Sequence, residues 1–197
     1  MLRQLCIATK NEGKAAEFME MLKNLPIELH SLAEFPGIVE PEETGKTLSA
    51  NARLKAQYYA KLTNMPCLAD DSGLECAALN GAPGVLTARY SGENATDKSN
   101  IEKLLSDMKF CIRRNCCFRC VIAVSLPEGK ILNEVEGICD GLLLHEEVGT
   151  AGFGYDPIFW SKELHMSFGE ATQEQKNAVS HRARALKRLI QIWKKHR

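Results

Sequence analysis

The stretch Pro66-Cys67-Leu68-Ala69-Asp70-Asp71-Ser72-Gly73-Leu74 sets two adjacent carboxylates at the end of a short apolar run. Like charges side by side repel, so such a pair at a strand end calls for a compensating cation or a hydrogen-bond network, which makes it a candidate metal and acid–base centre. The same two residues can also do no more than shape a turn before Gly73. What the flanking chain supplies decides between these readings.

Upstream, Leu5 to Thr9 reads as a strand, Lys10-Asn11-Glu12-Gly13-Lys14 as a loop, and Ala15, Phe18, Met19 and Leu22 as the apolar stripe of a helix. Ile27 to Leu32 is a second weak strand, and Phe35 to Gly45, with Glu40, Glu42 and Glu43, an exposed acidic loop. A helix from about Thr47 to Leu62 carries Leu48, Ala52, Tyr59 and Leu62, with Lys55 where an apolar residue is expected and Asn51 one turn earlier. Cys67 to Ala69 is then a strand ending at the aspartates.

Downstream, Thr96 offers an N-cap to a helix with Ile101, Leu104, Leu105 and Met108 at i, i+3, i+4 and i+7. Cys116 to Leu126 and Ile131 to Val135 form a hairpin across Pro127-Glu128-Gly129-Lys130, and Ile138 to Leu144 and Ile158 to Trp160 are further strands. Thr172 with Gln175 makes a capping box, and Ser180 starts a helix striped by Ala183, Leu186, Ile190 and Trp193. Strands and helices mixed without strict alternation predict one α/β domain over residues 1–197.

Lys plus Arg equals Asp plus Glu at 25 each. With no overall field, neither nucleic acid nor a membrane surface is an expected partner, and an anionic ligand must be held by locally placed cations. No run reaches the roughly 18 apolar residues of a spanning helix. The first residues lack a secretory h-region, so the eight cysteines are expected as reduced thiols in a cytoplasmic protein.

Thr9-Lys10-Asn11-Glu12-Gly13-Lys14, between strand and helix, can cradle phosphate on backbone N–H groups with Lys14 as a cation, or Asn11 can simply cap the helix. An inward Lys55 needs a partner among Glu42, Glu43, Asp70 and Asp71, unless its stem snorkels to water. Carboxylates from two segments suit Mg²⁺, which takes oxygen ligands and shares substrate phosphates. Phe153-Gly154-Tyr155-Asp156 offers two aromatics to sandwich a base and a carboxylate to hydrogen-bond it, and Ser180-His181-Arg182 sets an imidazole and a guanidinium at a helix start. Each of these can also be structural. Cys117-Phe118-Arg119-Cys120, with Cys111 and Cys116 near, has no second ligand pair and lies in a strand, so alternate cysteines read as small buried hydrophobes.

In order along nearly the whole chain, Thr9 to Lys14, Glu42-Glu43-Thr44-Gly45, Asn51-Ala52-Arg53-Leu54-Lys55-Ala56, Ala69 to Leu74, Gly81-Ala82-Pro83-Gly84-Val85 with Ala88-Arg89-Tyr90, Gly152 to Pro157 and Ser180-His181-Arg182 resemble the inosine triphosphate pyrophosphatase (Ham1-like) family. The resemblance implies an elongated two-lobed α/β fold with a central mixed sheet flanked by helices and a cleft between the lobes, assembled as a homodimer. It implies Mg²⁺-dependent hydrolysis of the deaminated purine nucleotides ITP, dITP and XTP to monophosphate and pyrophosphate. Asp71 would accept the proton and, with Glu42, hold the metal, Glu43 or Asp70 supporting them. Lys14 and Lys55 would neutralise the leaving pyrophosphate. Thr9, Lys10, Asn11, Glu12, Gly13, Lys14 and Ser72 would hold phosphates or sugar, and Phe153, Gly154, Tyr155, Asp156, Lys176, His181 and Arg182 would surround the base.

The chain departs from the family pattern at Ala151 (usually glycine), at Thr87 (usually serine) and at Cys116-Cys117. A Maf-like pyrimidine nucleotide pyrophosphatase is a rival that lacks the Phe153 to Asp156 and Ser180 to Arg182 segments. A nucleotide-binding module without hydrolysis, or a zinc module built on the cysteines, are rivals of other classes.

Overall fold

The computed structural model describes residues 2–195. Strand β1 (Gln4–Ile7) has Leu5, Cys6 and Ile7 fully buried. Asn11 then caps α1 (Glu12–Leu22), its side chain accepting the Lys14 amide at 2.9 Å, so the helix begins two residues before the lysine rather than after it. Strand β2 (Glu28–Ser31) lies parallel to β1. Helix α2 (Leu48–Thr63) starts behind Thr47, which accepts the Ala50 amide, and ends at Asn64 in the left-handed conformation. Strand β3 (Cys67–Cys76) returns parallel to β1, Cys6 opposite Cys67.

After α3 (Asp97–Asp107) come the two long strands β4 (Asn115–Ser125) and β5 (Ile131–Leu143) and the short β6 (Phe159–Ser161) and β7 (Met166–Ser167). Helices α4 (Gln173–Val179) and α5 (His181–Lys195) close the chain. The seven strands form one mixed sheet in the order β2-β1-β3-β4-β5-β6-β7, parallel among β1, β2 and β3 and antiparallel from β5 through β7. The α/β class expected from the sequence is therefore present.

Besides the start of α1, three boundaries differ from expectation. Strand β3 does not end at the aspartates but carries them in its interior, because both are buried and compensated by lysines distant in sequence. The two strands expected over residues 131–135 and 138–144 are one, since burial alternates through Val135, Gly137, Cys139, Gly141 and Leu143 without a break. Ser180 closes α4, its amide donating to the Lys176 carbonyl at 2.8 Å, and α5 starts one residue later at His181.

The chain divides into two compact units. The first takes in the chain as far as Asp71, Cys120–Gly137 and the chain from Ala183 onward; its core joins Leu5, Ile7, Phe18, Leu68, Ile122 and Leu186. The second comprises Ser72–Arg119 and Ile138–Arg182, with a core of Leu74, Leu104, Phe118, Tyr155, Phe159 and Phe168. The strands β3, β4 and β5 each contribute residues to both units. Among the described residues no helix is long and apolar enough to cross a membrane.

The cysteines follow the strand period. In β4, Cys116, Phe118 and Cys120 are buried while Cys117 and Arg119 are half-exposed. Cys117 Sγ lies 3.7 Å from Glu75 Oε2, and burial together with that carboxylate pushes its thiol up to about 11. Only the thiolate is nucleophilic, so site-resolved iodoacetamide labelling of the folded protein should still rise about tenfold per pH unit between pH 8 and 10 at Cys117, where an ordinary cysteine levels off near 8.5. Mass spectrometry of the Cys117 peptide reads the slope, and a plateau below pH 9.5 contradicts the assignment.

Candidate active site

In the first unit, two lysines from two helices meet the aspartate pair. Lys14, in the first turn of α1, places Nζ 3.0 Å from Asp70 Oδ2. Lys55, in the middle of α2, places Nζ 2.8 Å from Asp71 Oδ1 and 2.7 Å from Glu43 Oε1. The inward lysine of the helix stripe thus has two carboxylate partners. A buried carboxylate in a strand is tolerable only with such partners, because an isolated charge withdrawn from water costs many kcal/mol.

Asn51, fully buried one turn before Lys55, completes the cluster. Its Nδ2 donates to Asp71 Oδ2 at 3.2 Å, and its Oδ1 accepts the Gly45 amide at 2.7 Å, which ties the acidic loop to the strand. A side chain at Gly45 would collide with that oxygen. Burial pushes the Asp71 carboxyl above the usual carboxylate range, outweighing Lys55. Burial alone would lower the Lys55 ammonium, but Asp71, Asp70 and Glu43 outweigh it and hold it above the usual lysine value. One cluster therefore holds a carboxyl of raised proton affinity beside a cation that keeps its proton.

Of the two loop glutamates, Glu43 is the one brought to Lys55, whereas Glu42 is exposed and its carbonyl accepts the Thr44 amide. Among the described residues no group of three or more histidine, cysteine or acidic side chains is arranged to hold a metal ion by itself. An all-oxygen donor set of one or two carboxylates fits Mg²⁺, which keeps several waters and takes further oxygens from phosphates, and fits poorly a metal needing a protein cage. The Thr9 hydroxyl accepts the Asn11 amide at 3.2 Å, Lys10, Asn11 and Glu12 are exposed, and Gly13 opens the first turn of α1 beside Lys14. The Lys14 amide is taken by Asn11, and the remaining amides of that first turn point toward any anion placed there. Ser72, half-buried, follows Asp71 in β3.

The second unit gathers the other candidates. Asp156 Oδ2 accepts the Phe153 amide at 2.9 Å and binds Lys176 Nζ at 2.7 Å, with both charged side chains 3% exposed. The same ammonium lies 4.5 Å from the Phe153 ring centroid, and the Arg182 guanidinium 5.7 Å from it. His181 stacks on Phe118 at 4.7 Å and 13°. Gly152, at φ 78, has no room for a side chain because Asp156 fills it. Tyr155 is buried and donates its hydroxyl to the Thr87 carbonyl at 2.9 Å, so of the two aromatics only Phe153 offers a face at the surface. Thr87 keeps the hydroxyl that serine would supply, accepting the Leu74 amide at 2.9 Å.

In the sequence, the bridging role of Asn51 is signalled only by its place on the Lys55 face. Phe118 carries no such signal, since its contact with His181 joins segments far apart in the chain.

The chain is thus a mixed α/β protein with a buried, lysine-compensated aspartate pair in one unit and an aromatic, cation-lined loop in the other. The model of the Ham1 family matches residues 5–192, and the chain belongs to that family. It is 50% identical over 186 residues to the dITP/XTP pyrophosphatase of Desulfotalea psychrophila, covering 94% of this chain and 83% of that protein. It is 45% identical to the dITP/XTP pyrophosphatase of Bacillus subtilis, covering 98% of each. Among solved structures it is similar to a Ham1 protein from Coxiella burnetii, with a TM-score of 0.89 and 40% identity over 99% of this chain and 100% of that one.

Asn51→Ala should destabilise the protein by about 1–3 kcal/mol, since it leaves the Gly45 amide and one Asp71 oxygen without their partner. Urea unfolding followed by circular dichroism checks this, and a midpoint unchanged from wild type would contradict the bridging role.

Proposed function

We propose that this chain hydrolyses the deaminated purine nucleoside triphosphates ITP, dITP and XTP to the monophosphate and pyrophosphate. The observation that carries the reading is Asp71, a buried carboxyl raised in proton affinity and held by Lys55 and Asn51. A carboxylate whose proton affinity is raised by burial is a better acceptor of a proton from water than an exposed one. Asp71 takes that proton as the water oxygen bonds to the α-phosphorus, and the α–β bridging bond breaks, its electron pair leaving on pyrophosphate. Lys14 and Lys55 stabilise the charge that develops on the leaving group.

Asp71, with Glu42 or Glu43 from the acidic loop, would hold Mg²⁺, which when bound neutralises phosphate charge and orients the polyphosphate. The Thr9 to Lys14 segment and Ser72 bind phosphates and sugar. Phe153 stacks on the base, and Lys176, His181 and Arg182, with Asp156 fixing Lys176, read its edge. Donors aimed at a 6-oxo group are left facing a donor when adenine enters, so a 6-amino purine is rejected. The family setting supports a homodimer acting in the cytoplasm on the free nucleotide pool.

Pyrophosphate release measured in parallel on ITP, XTP, GTP, ATP and dTTP tests the reading. Rates on ITP and XTP should exceed that on ATP by at least about a hundredfold, in keeping with discrimination by unpaired polar groups. Chelation of Mg²⁺ should abolish release, and Asp71→Asn should lower kcat by about 10²–10⁴. Equal rates on ATP and ITP, or unimpaired hydrolysis by Asp71→Asn, would overturn it. Preference for dTTP would point to the pyrimidine enzyme instead.

A further inference from the structure

Two consecutive amides of the loop that carries Phe153 are held by carboxylates. One carboxylate is internal to the loop, Asp156, which accepts the Phe153 amide. The other comes from 57 residues away in sequence: the Gly154 amide donates to Asp97 Oδ2 at 2.7 Å. Asp97 opens α3, and together with Lys98, Gly152, Phe153 and Gly154 it lines one pocket of about 430 Å³.

The loop needs an external anchor. Gly152 and Gly154 both sit in the left-handed region, at φ 78 and 59, where the chain gains freedom that other residues lack. The α3 end that supplies the anchor is rigid. Thr96 and Ser99 form a reciprocal capping box, and Ile101 and Leu104 are buried in the core. Buried Asn100 accepts the Ser91 amide at 2.8 Å and donates to the Ala88 carbonyl at 3.1 Å. An acidic residue in this first turn is also favoured by the helix dipole.

We propose that Asp97 is a positioning residue for base recognition: by holding the Gly154 amide it fixes the Phe153 ring before substrate arrives, and so sets affinity for the base and not for the phosphates. This rests on assigning Phe153 to Asp156 to the base. A mobile loop would have to be ordered on binding, and that cost appears as lost affinity. Asp97 is exposed, so water partly replaces the bond, and its loss is expected to change KM about fivefold.

The test compares wild type, Asp97→Ala and Asp97→Asn, the last keeping an oxygen acceptor. For Asp97→Ala, KM for ITP should rise about fivefold with kcat within about twofold, while inhibition by inorganic tripolyphosphate, which has no base, should stay within about twofold. Asp97→Asn should recover most of the lost affinity. Amide hydrogen exchange at Gly154 should accelerate in Asp97→Ala and return toward wild type in Asp97→Asn. An unchanged KM, an equal weakening of tripolyphosphate, or an Asn variant as impaired as the Ala variant would overturn the proposal. If wild type hydrolyses neither ITP nor XTP, the base assignment fails and the affinity claim falls with it. Gly154 exchange, which needs no activity, then decides separately whether Asp97 holds the loop, and an unchanged rate refutes that too.

Discussion

Two carboxylates on successive residues of a buried strand cannot stand without cations delivered to them, and much of the first unit is arranged to make that delivery. Lys14 reaches Asp70 because Asn11 caps α1 at Glu12, which puts the lysine in the first turn. Lys55 reaches Asp71 because Thr47 starts α2 where the middle of the helix meets the strand. Asn51 adds a neutral link that also secures the acidic loop. Taking away one member of such a cluster costs more than the pair is worth, because the charge left behind stays buried.

This dependence explains what could be read from the sequence and what could not. Apolar stripes revealed the helices, and Lys55 stood out because it broke one. The extent of β3 was hidden: Asp70 and Asp71 look like a strand end by local pattern, and only cations from positions 14 and 55 make them interior residues. The unity of β5 was hidden for a related reason. Glu136 and Gly137 interrupt the apolar run, yet alternation of burial continues through them. The cysteines of β4 were legible because a two-residue period needs no distant partner to declare itself.

The candidate residues of the second unit divide in the same way. Phe153 to Asp156 announce themselves by composition, and Asp156 organises them over a short span by holding the Phe153 amide and Lys176. Lys176 then serves two neighbours at once, a carboxylate and an aromatic face, which fixes it more firmly than either alone. Tyr155, alike in type to Phe153, is turned inward by its bond to Thr87. Equal composition therefore gave unequal roles, and only the fold separates a half-buried ring set among cations from one that anchors a turn.

The charges of the cluster in the first unit do not balance. Asp70, Asp71 and Glu43 oppose Lys14 and Lys55, leaving the cluster one negative charge in excess. A polyphosphate brought to such a cluster meets lysines already engaged and a field of its own sign. On the proposed reading, a divalent cation reverses that excess, and the two lysines can then be shared between carboxylates and phosphates. Metal and substrate affinity are then linked, each raising the other by the same factor, as binding at coupled sites requires. The aspartate pair would in that case serve two states of one protein: a lysine-neutralised core when the site is empty, and the acid–base and metal centre once the nucleotide is bound.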